Sequence, residues 1–553
     1  MDDQVIVTGG GMAGLTAAAY LVQAGHKVLL FEKEAAVGGL VNSFHYKGFV
    51  FDGGIRAVEN SGIVLPMLRQ LGIDIPLIRN GVSIGIEDAI VHLRDKDSLD
   101  DYLRLLQDQF PESAPDVRRF GAEIRKIMQY MDILYGIDNP LFLDLMKDKE
   151  YLVKTILPWL FKYLLTIRKV TRLDMPVAEY LGRISANQAL IDMIAQHFFK
   201  DTPTFFALSY FSLYLDYQYP VGGTGVLSDR MKQFILDHHG EIRCGTEIVR
   251  IDLEKTCVFD QAGNAFPYRK LIWCADQKAF YRAIDEIAIS KPKVRQAVAA
   301  RKRCLQDKTG GDSILTLYLT VDLDPAYFAG ISQPHFFYTP QKAGLSRVSP
   351  KPPARPGESV EADDSRAVLD WIRQYLEHTT YEIACPVLRD KRLAPPGQTG
   401  LIVSALFDYD LVRQIETAGW YEVFKTFCAR TMVRILKDSV YPALEDKVID
   451  SFVATPLTLA RRTGNSDEAI TGWAFTNSEM PAVHTMTKIA KSILTGLPDV
   501  YQAGQWTFSP SGLPISILTG KLAADRVSKE LRKAGQRYAQ IPDPFAHRPD
   551  ARC

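Results

Sequence analysis

Six residues near the start of the chain narrow its fold more than any other feature. Gly9-Gly10-Gly11-Met12-Ala13-Gly14 fits the pattern G-x-G-x-x-G. A short apolar stretch, Gln4–Thr8, precedes it, and an alanine-rich stretch, Gly14–Gly25, follows, closed by glycine. A second apolar stretch occupies Lys27–Glu32. The order reads strand, glycine turn, helix, strand, which is the opening of a dinucleotide-binding unit. Gly9 serves the tight turn, Gly11 lets backbone approach a pyrophosphate, and Gly14 lets helix and sheet pack closely. The helix start, with Met12 and Ala13, offers free N–H groups and a positive dipole end to phosphates. Glu32 stands 18 residues past Gly14 and can accept both hydroxyls of a ribose. An acid at that place argues against a 2′-phosphate, and so against NADP.

Two more glycine clusters choose among dinucleotides. Gly38-Gly39-Leu40 follows the second strand after a short loop that begins at Lys33, and Phe51-Asp52-Gly53-Gly54 follows an aromatic-rich turn. A flavin extends past the pyrophosphate and needs further close backbone approach, which glycine permits. The chain is therefore expected to bind FAD.

Length and composition agree with a large globular chain. At 553 residues the chain exceeds one simple core, so two or more units are expected. The 65 basic and 65 acidic residues cancel, which gives no support to nucleic-acid binding. Seven cysteines are scattered without a C-x-x-C pair, which suits reduced thiols better than disulfides or zinc. His238 and His239 are adjacent and would point about 100° apart on a helix, so no metal site is expected. No charged leader with an apolar export segment precedes the first strand, and no run of 18 apolar residues occurs. The expectation is a cytoplasmic protein.

Along the chain, helical stretches rich in aromatics run from Asp97 to about Tyr217, and a proline–glycine cluster interrupts them at Tyr219–Gly225. A helix at Leu227–His239 and strands at Glu241–Arg243, Glu247–Leu253 and Lys270–Ala275 follow. Strands return at Ile314–Val321 and Gly400–Leu406, with helices at Trp420–Leu436 and Pro514–Lys533. Ser349–Arg366, rich in proline and charge, reads as an exposed loop. The fold class is α/β: a Rossmann-like FAD-binding domain built from discontinuous segments, 1–85, 218–290 and 485–535. A mixed-sheet and helical substrate domain, 86–217 and 291–484, is inserted into it, and 536–553 form a tail.

Further blocks carry a resemblance. They are Glu32–Gly39 (E-K-x-x-x-x-G-G), Phe51–Gly54 (F-D-x-G), Tyr219–Gly225 (Y-P-V-G-G-T-G) and Leu271–Asp276, which ends in Ala275-Asp276. Thr455-Pro456-Leu457-Thr458 with Thr463-Gly464-Asn465 and Gly472, and Val500–Gln505 leading to Gly512-Leu513-Pro514, complete the series. In this order the chain resembles the carotenoid desaturase, carotenoid isomerase and retinol saturase family, a branch of the flavin amine-oxidase-like superfamily. The resemblance implies flavin contacts from Lys33, Leu40, Asp52, Ile55, Gly504, Gln505, Leu513, Pro514 and Ile515. It also implies a backbone contact from Val249 to the adenine. Desaturases of this family usually follow F-D-x-G with Pro-Thr, and the saturase branch tends to place His where this chain has Arg56.

The expected chemistry is flavin hydride transfer at C–C or C=C bonds of a long apolar isoprenoid, carotenoid or retinoid-like molecule. Desaturation, saturation and isomerisation all stay open. So do an amine or porphyrinogen oxidase, and a prenyl-binding escort protein of the same fold. No second glycine fingerprint is present, so electrons are expected to pass to or from a diffusible quinone, oxygen or a reductase. Arg56 is the candidate active-site charge, with Arg461 and Arg462 behind it; Trp506 and Phe508 are candidate pocket walls. Phe198–Tyr219 reads as a channel lining or as core. Tyr151–Ile167, with Lys154, Lys162 and the following Arg168-Lys169, reads as a peripheral membrane contact or as a buried helix.

Overall fold

The computed structural model describes residues 4–143, 149–352, 363–444 and 446–539. Two sheets organise it. The first has five parallel strands in the order Glu241–Arg243, Val28–Phe31, Val5–Thr8, Lys270–Trp273, Val500–Gln502. Its members come from the beginning, middle and end of the sequence. Val5–Thr8 is central and wholly buried, as expected of a parallel strand covered on both faces. The helix Met12–Gln23 is buried from Met12 to Val22. Ala17, Ala18 and Ala19 allow that burial: small side chains let the sheet, the helix Gly225–Asp237 and the C-terminal helix Leu513–Ala539 close around it.

The second sheet has seven strands in the order Val448–Ala454, Ser313–Val321, Thr399–Phe407, Tyr381–Ala384, His335–Thr339, Val82–Ile86, Ala89–Leu93. It is antiparallel except where His335–Thr339 runs parallel to Val82–Ile86. The helices Asp363–His378 and Tyr421–Asp438 pack on it around Leu317, Val403 and Phe424. A helical layer including Ser98–Gln109, Ala114–Tyr135 and Tyr210–Asp216 covers the end near Val82–Ile86.

Most expected elements are present with ends shifted by a residue or two. The proposed boundary at residue 85 falls inside the strand Val82–Ile86, which pairs into the second sheet. Of the expected loop Ser349–Arg366, residues 353–362 lie outside the described residues, and Asp363–Arg366 begin a helix. Of the expected tail, 536–539 continue the C-terminal helix and 540–553 lie outside the described residues. Among the described residues six cysteines are free, and no group of three or more His, Cys, Asp or Glu could hold a metal ion. No described helix is long and apolar enough to cross a membrane.

Candidate active site

The helix Met12–Gln23 begins at Gly11 with no side-chain cap and no acid in its first turn. The N–H groups of that turn have no intrahelical partner and carry the positive end of the dipole. A cavity of about 530 Å³ opens at this point, walled by Gly9, Gly11, Met12 and Ala13. Nothing stands within 4 Å of where a Cβ on Gly11 would sit, so bare backbone faces the space. Gly14 is different: its Cβ would fall 1.9 Å from Gly9 O, so this glycine holds helix against turn and does not face the cavity.

Glu32 ends the second strand in the same wall and is 8% exposed. Its Oε2 accepts from Gly10 N at 2.6 Å and its Oε1 from Glu34 N at 2.9 Å. Burial raises its pKa, against the lowering effect of those two N–H groups. Each oxygen keeps a lone pair for a hydroxyl. An uncapped helix start with an oriented acid beside it fits the pyrophosphate and ribose of FAD.

The cavity runs on past Gly38, Gly39 and Leu40, and past Gly53 and Ile55. Ala275 and the closing residues Gly504, Gln505 and Leu513 complete its far side. Thr463, Asn465, Arg462 and Trp506 belong to it as well, the first three from the T-P-x-T…T-G-N segment. Thr471 and Ser516 are also there, and neither carries a recognisable signal in the sequence.

Several expected contacts lie elsewhere. The Asp52 carboxylate is buried and accepts from Ser43 Oγ, Tyr219 OH, Thr224 N and Thr224 Oγ at 2.8–2.9 Å. It braces the cradle from behind. Gly54 lies against Leu40 O, which a Cβ there would meet at 2.0 Å. Lys33 pairs with Glu34 at 3.6 Å over the Gly464 turn. Val249 sits at an irregularity in the strand Ile248–Asp252 with its side chain exposed, off the cavity wall. Pro514 and Ile515 line a different cavity.

Arg56 is 3% exposed and lines neither cavity. Its Nη1 donates to Gly54 O and to Asp52 O at 2.9 Å, and its Nη2 to Ser404 Oγ at 3.1 Å, while Nε has no partner among the described residues. It ties the Asp52–Gly54 loop to the second sheet. Nearby, His335 Nε2 lies 2.8 Å from Glu382 Oε1, and His335 Nδ1 lies 3.1 Å from Asn80 Nδ2. Arg389 Nε donates to Asn80 Oδ1 at 2.7 Å. Burial pushes Glu382 up, but the His335 hydrogen bond and the charges of His335, Arg56 and Arg389 outweigh it and hold the carboxyl below its ordinary value. Burial lowers His335. The two side chains form a hydrogen-bonded pair behind the Arg56 loop.

The second cavity, about 600 Å³, is walled largely by apolar side chains, among them Trp159, Tyr163, Phe205, Phe206 and Phe508. Gly512 belongs to both cavities. Beyond it the first turn of the C-terminal helix alternates: Leu513 and Ser516 face the cradle, Pro514 and Ile515 the apolar space. The aromatic stretch therefore divides. Phe205 and Phe206 line the cavity, whereas Tyr210, Phe211 and Tyr214 are buried in the helical core.

Tyr151–Ile167 divides too. It forms one π-helical turn, Leu152–Ile156, and then the α-helix Leu157–Val170. Trp159 points inward and donates to Ile133 O at 2.6 Å. Val153, Leu157, Leu160, Phe161, Leu164 and Leu165 point outward, Phe161 at 68% exposure.

A parallel sheet with a glycine cradle for FAD, joined to a second, mostly antiparallel sheet, defines a flavin-dependent oxidoreductase. Residues 12–301 match the family model described as flavin containing amine oxidoreductase, and the chain belongs to that family. The chain is 21% identical to the 4,4′-diapophytoene desaturase of Staphylococcus aureus (strain MRSA252), over 96% of this chain and 99% of that protein. It is 21% identical to the chloroplastic prolycopene isomerase of Daucus carota, over 95% of this chain and 80% of that protein. A Danio rerio protein described as inactive all-trans-retinol 13,14-reductase is 24% identical over 45% of this chain and only 42% of its own length. Cyclohexylamine oxidase from Brevibacterium oxydans IH-35A shares the fold, with a TM-score of 0.58, 13% identity and coverage of 96% of this chain and 100% of that one.

Proposed function

We propose that this FAD-dependent oxidoreductase acts on C–C or C=C bonds of a long apolar isoprenoid, carotenoid or retinoid-like substrate. The observation that carries the reading is the wall shared by the cofactor cradle and a 600 Å³ apolar cavity at Gly512. A pocket of that size takes a molecule of tens of atoms and buries most of it. Similarity to a desaturase and an isomerase along nearly the whole chain supports the substrate class.

The bound flavin supplies hydride transfer. The first turn of the Met12–Gln23 helix would hold the pyrophosphate and Glu32 the ribose. Leu513 and Gln505 would hold the reactive end of the cofactor, and Pro514 and Ile515 would bound the substrate on the other side of the same helical turn. Phe205, Phe206 and Phe508 exclude water from the apolar space. Arg56 acts by position, locking the Asp52–Gly54 loop against Ser404. Electrons pass to or from a diffusible partner such as a quinone, oxygen or a reductase.

The outward face of Leu157–Val170 rests on a membrane interface, where such substrates are collected. Phe161→Asp with Leu164→Asp should reduce co-sedimentation with anionic vesicles several-fold.

Anaerobic mixing of flavin-loaded protein with a panel of polyenes tests the main reading. Bleaching of oxidised flavin, or reoxidation of reduced flavin, by a polyene supports it. Reduction by amines with peroxide release, and silence with every polyene, overturns it in favour of an amine oxidase.

A further inference from the structure

Resting on that reading of the apolar cavity, we propose that its ligand carries a hydroxyl group and that Glu59 is the residue that receives it. Glu59 belongs to a two-residue strand, Val58–Glu59, paired with Gln218 and Tyr217. It is half-buried, and its free surface opens into the cavity. Oε1 accepts from Ser61 Oγ. Oε2 has no hydrogen-bond partner among the described residues.

The surroundings select what could meet that oxygen. Asp216 is close behind but already engaged: its Oδ2 accepts from Ser61 N at 2.8 Å and from Asn60 N at 3.0 Å. Tyr135, on the same wall, keeps its phenolic proton because burial and the neighbouring Glu59 push its pKa up. Neither lysine nor arginine is among the described wall residues; Asp174 and His484 are exposed. A carboxylate or phosphate head group would meet Glu59 and Asp216 without a counter-charge. A pure hydrocarbon would cover Oε2 without giving it a partner.

Burial, with a further push from Asp216, moves the Glu59 carboxyl up to about 7. Near neutral pH it is therefore present in both forms, and the protonated form can give and accept a hydrogen bond at once. A hydroxyl is the complementary group, since it also gives and accepts. An ammonium only gives, and it would have to shed its water among Trp159, Tyr163 and Phe206.

The test uses three molecules with one C15 skeleton: farnesol, farnesene and farnesylamine. Binding to the flavin-loaded protein is followed by tryptophan fluorescence, since Trp159 stands in the wall, and by the visible flavin spectrum. Farnesol should bind at least tenfold more tightly than farnesene. Glu59→Leu should cost farnesol at least tenfold and leave farnesene unchanged. Glu59→Asp, which withdraws the carboxyl by one methylene, should cost farnesol several-fold and serves if the leucine variant does not fold. Unchanged farnesol affinity in the folded variants overturns the assignment, as does a tenfold preference for farnesylamine. Equal binding of farnesol and farnesene would sink Glu59's role alone, whereas failure of all three to bind would sink the cavity reading beneath it.

Discussion

The two cavities that meet at Gly512 are built on opposite principles. The cofactor cradle is mostly main chain: an uncapped helix start and turns brought close by glycine, with the buried Glu32 beside them. The apolar cavity is mostly side chain, contributed by four separated stretches of sequence around residues 59–63, 134–174, 203–206 and 484–518. A backbone site tolerates almost no change at its glycines. A side-chain site can be remodelled residue by residue. The comparison teaches that cofactor and substrate should respond to mutation independently, except where the two walls are one.

The largest expected effect tests the backbone side. Gly14→Val places a side chain 1.9 Å from Gly9 O and should yield no folded, flavin-containing protein, read as loss of the visible flavin band in the soluble fraction. Gly11→Ala meets nothing, so it should leave the thermal midpoint unchanged while weakening FAD at least tenfold, about 1.4 kcal/mol. If both variants behaved alike, the distinction between packing glycine and contact glycine would fail.

Arg56→Met comes next. It strips partners from Asp52 O, Gly54 O and Ser404 Oγ and should cost about 2–4 kcal/mol in urea unfolding. A loss of turnover without any loss of stability would instead return Arg56 to a direct chemical role.

Glu468 sharpens the comparison through pH. It is buried two residues past Ser466, whose N–H donates to Asp276 beside the cradle. Burial, and then the charge of Asp467, push its carboxyl up to about 8. A raised acid favours the folded state while protonated, so its contribution is full below the ordinary glutamate range and is lost as pH rises through about 8. Glu468→Gln should therefore match the parent near pH 4 and exceed it by about 1–3 kcal/mol at pH 9, measured as denaturant midpoints.

The smallest effect tests the side-chain side. Phe206→Ala should weaken an apolar ligand by about threefold to tenfold, near 1 kcal/mol, with FAD affinity unaltered. Loss of FAD in this variant would join the two sites more tightly than the geometry does.

Legibility follows the same division. The cradle was readable because glycines answer to local rules: turn, close approach and helix start each demand that residue within a few positions. Gly9, Gly11, Gly38, Gly39 and Gly504 all fall on its wall for that reason. Asp52 lies off the wall, and three of its four bonds inside the protein come from Tyr219 and Thr224, far away in the chain, which no local pattern shows. The tie from Arg56 to Ser404 is equally illegible, since the two are 348 residues apart. The aromatic run Phe198–Tyr219 could not be divided into core and cavity without knowing which neighbours stand opposite. Glu59 carries no signal at all: one acid in a two-residue strand matches no pattern.

The alternation of Leu513, Pro514, Ile515 and Ser516 across two spaces has a consequence for divergence. A lineage that altered Pro514 or Ile515 to admit a new compound would shift the backbone that seats Leu513, and so reshape the cofactor wall in the same step. Specificity is thus freer to drift on the walls made by Trp159, Phe205 and Phe206, and that helical turn should be the slowest part of the apolar chamber to change.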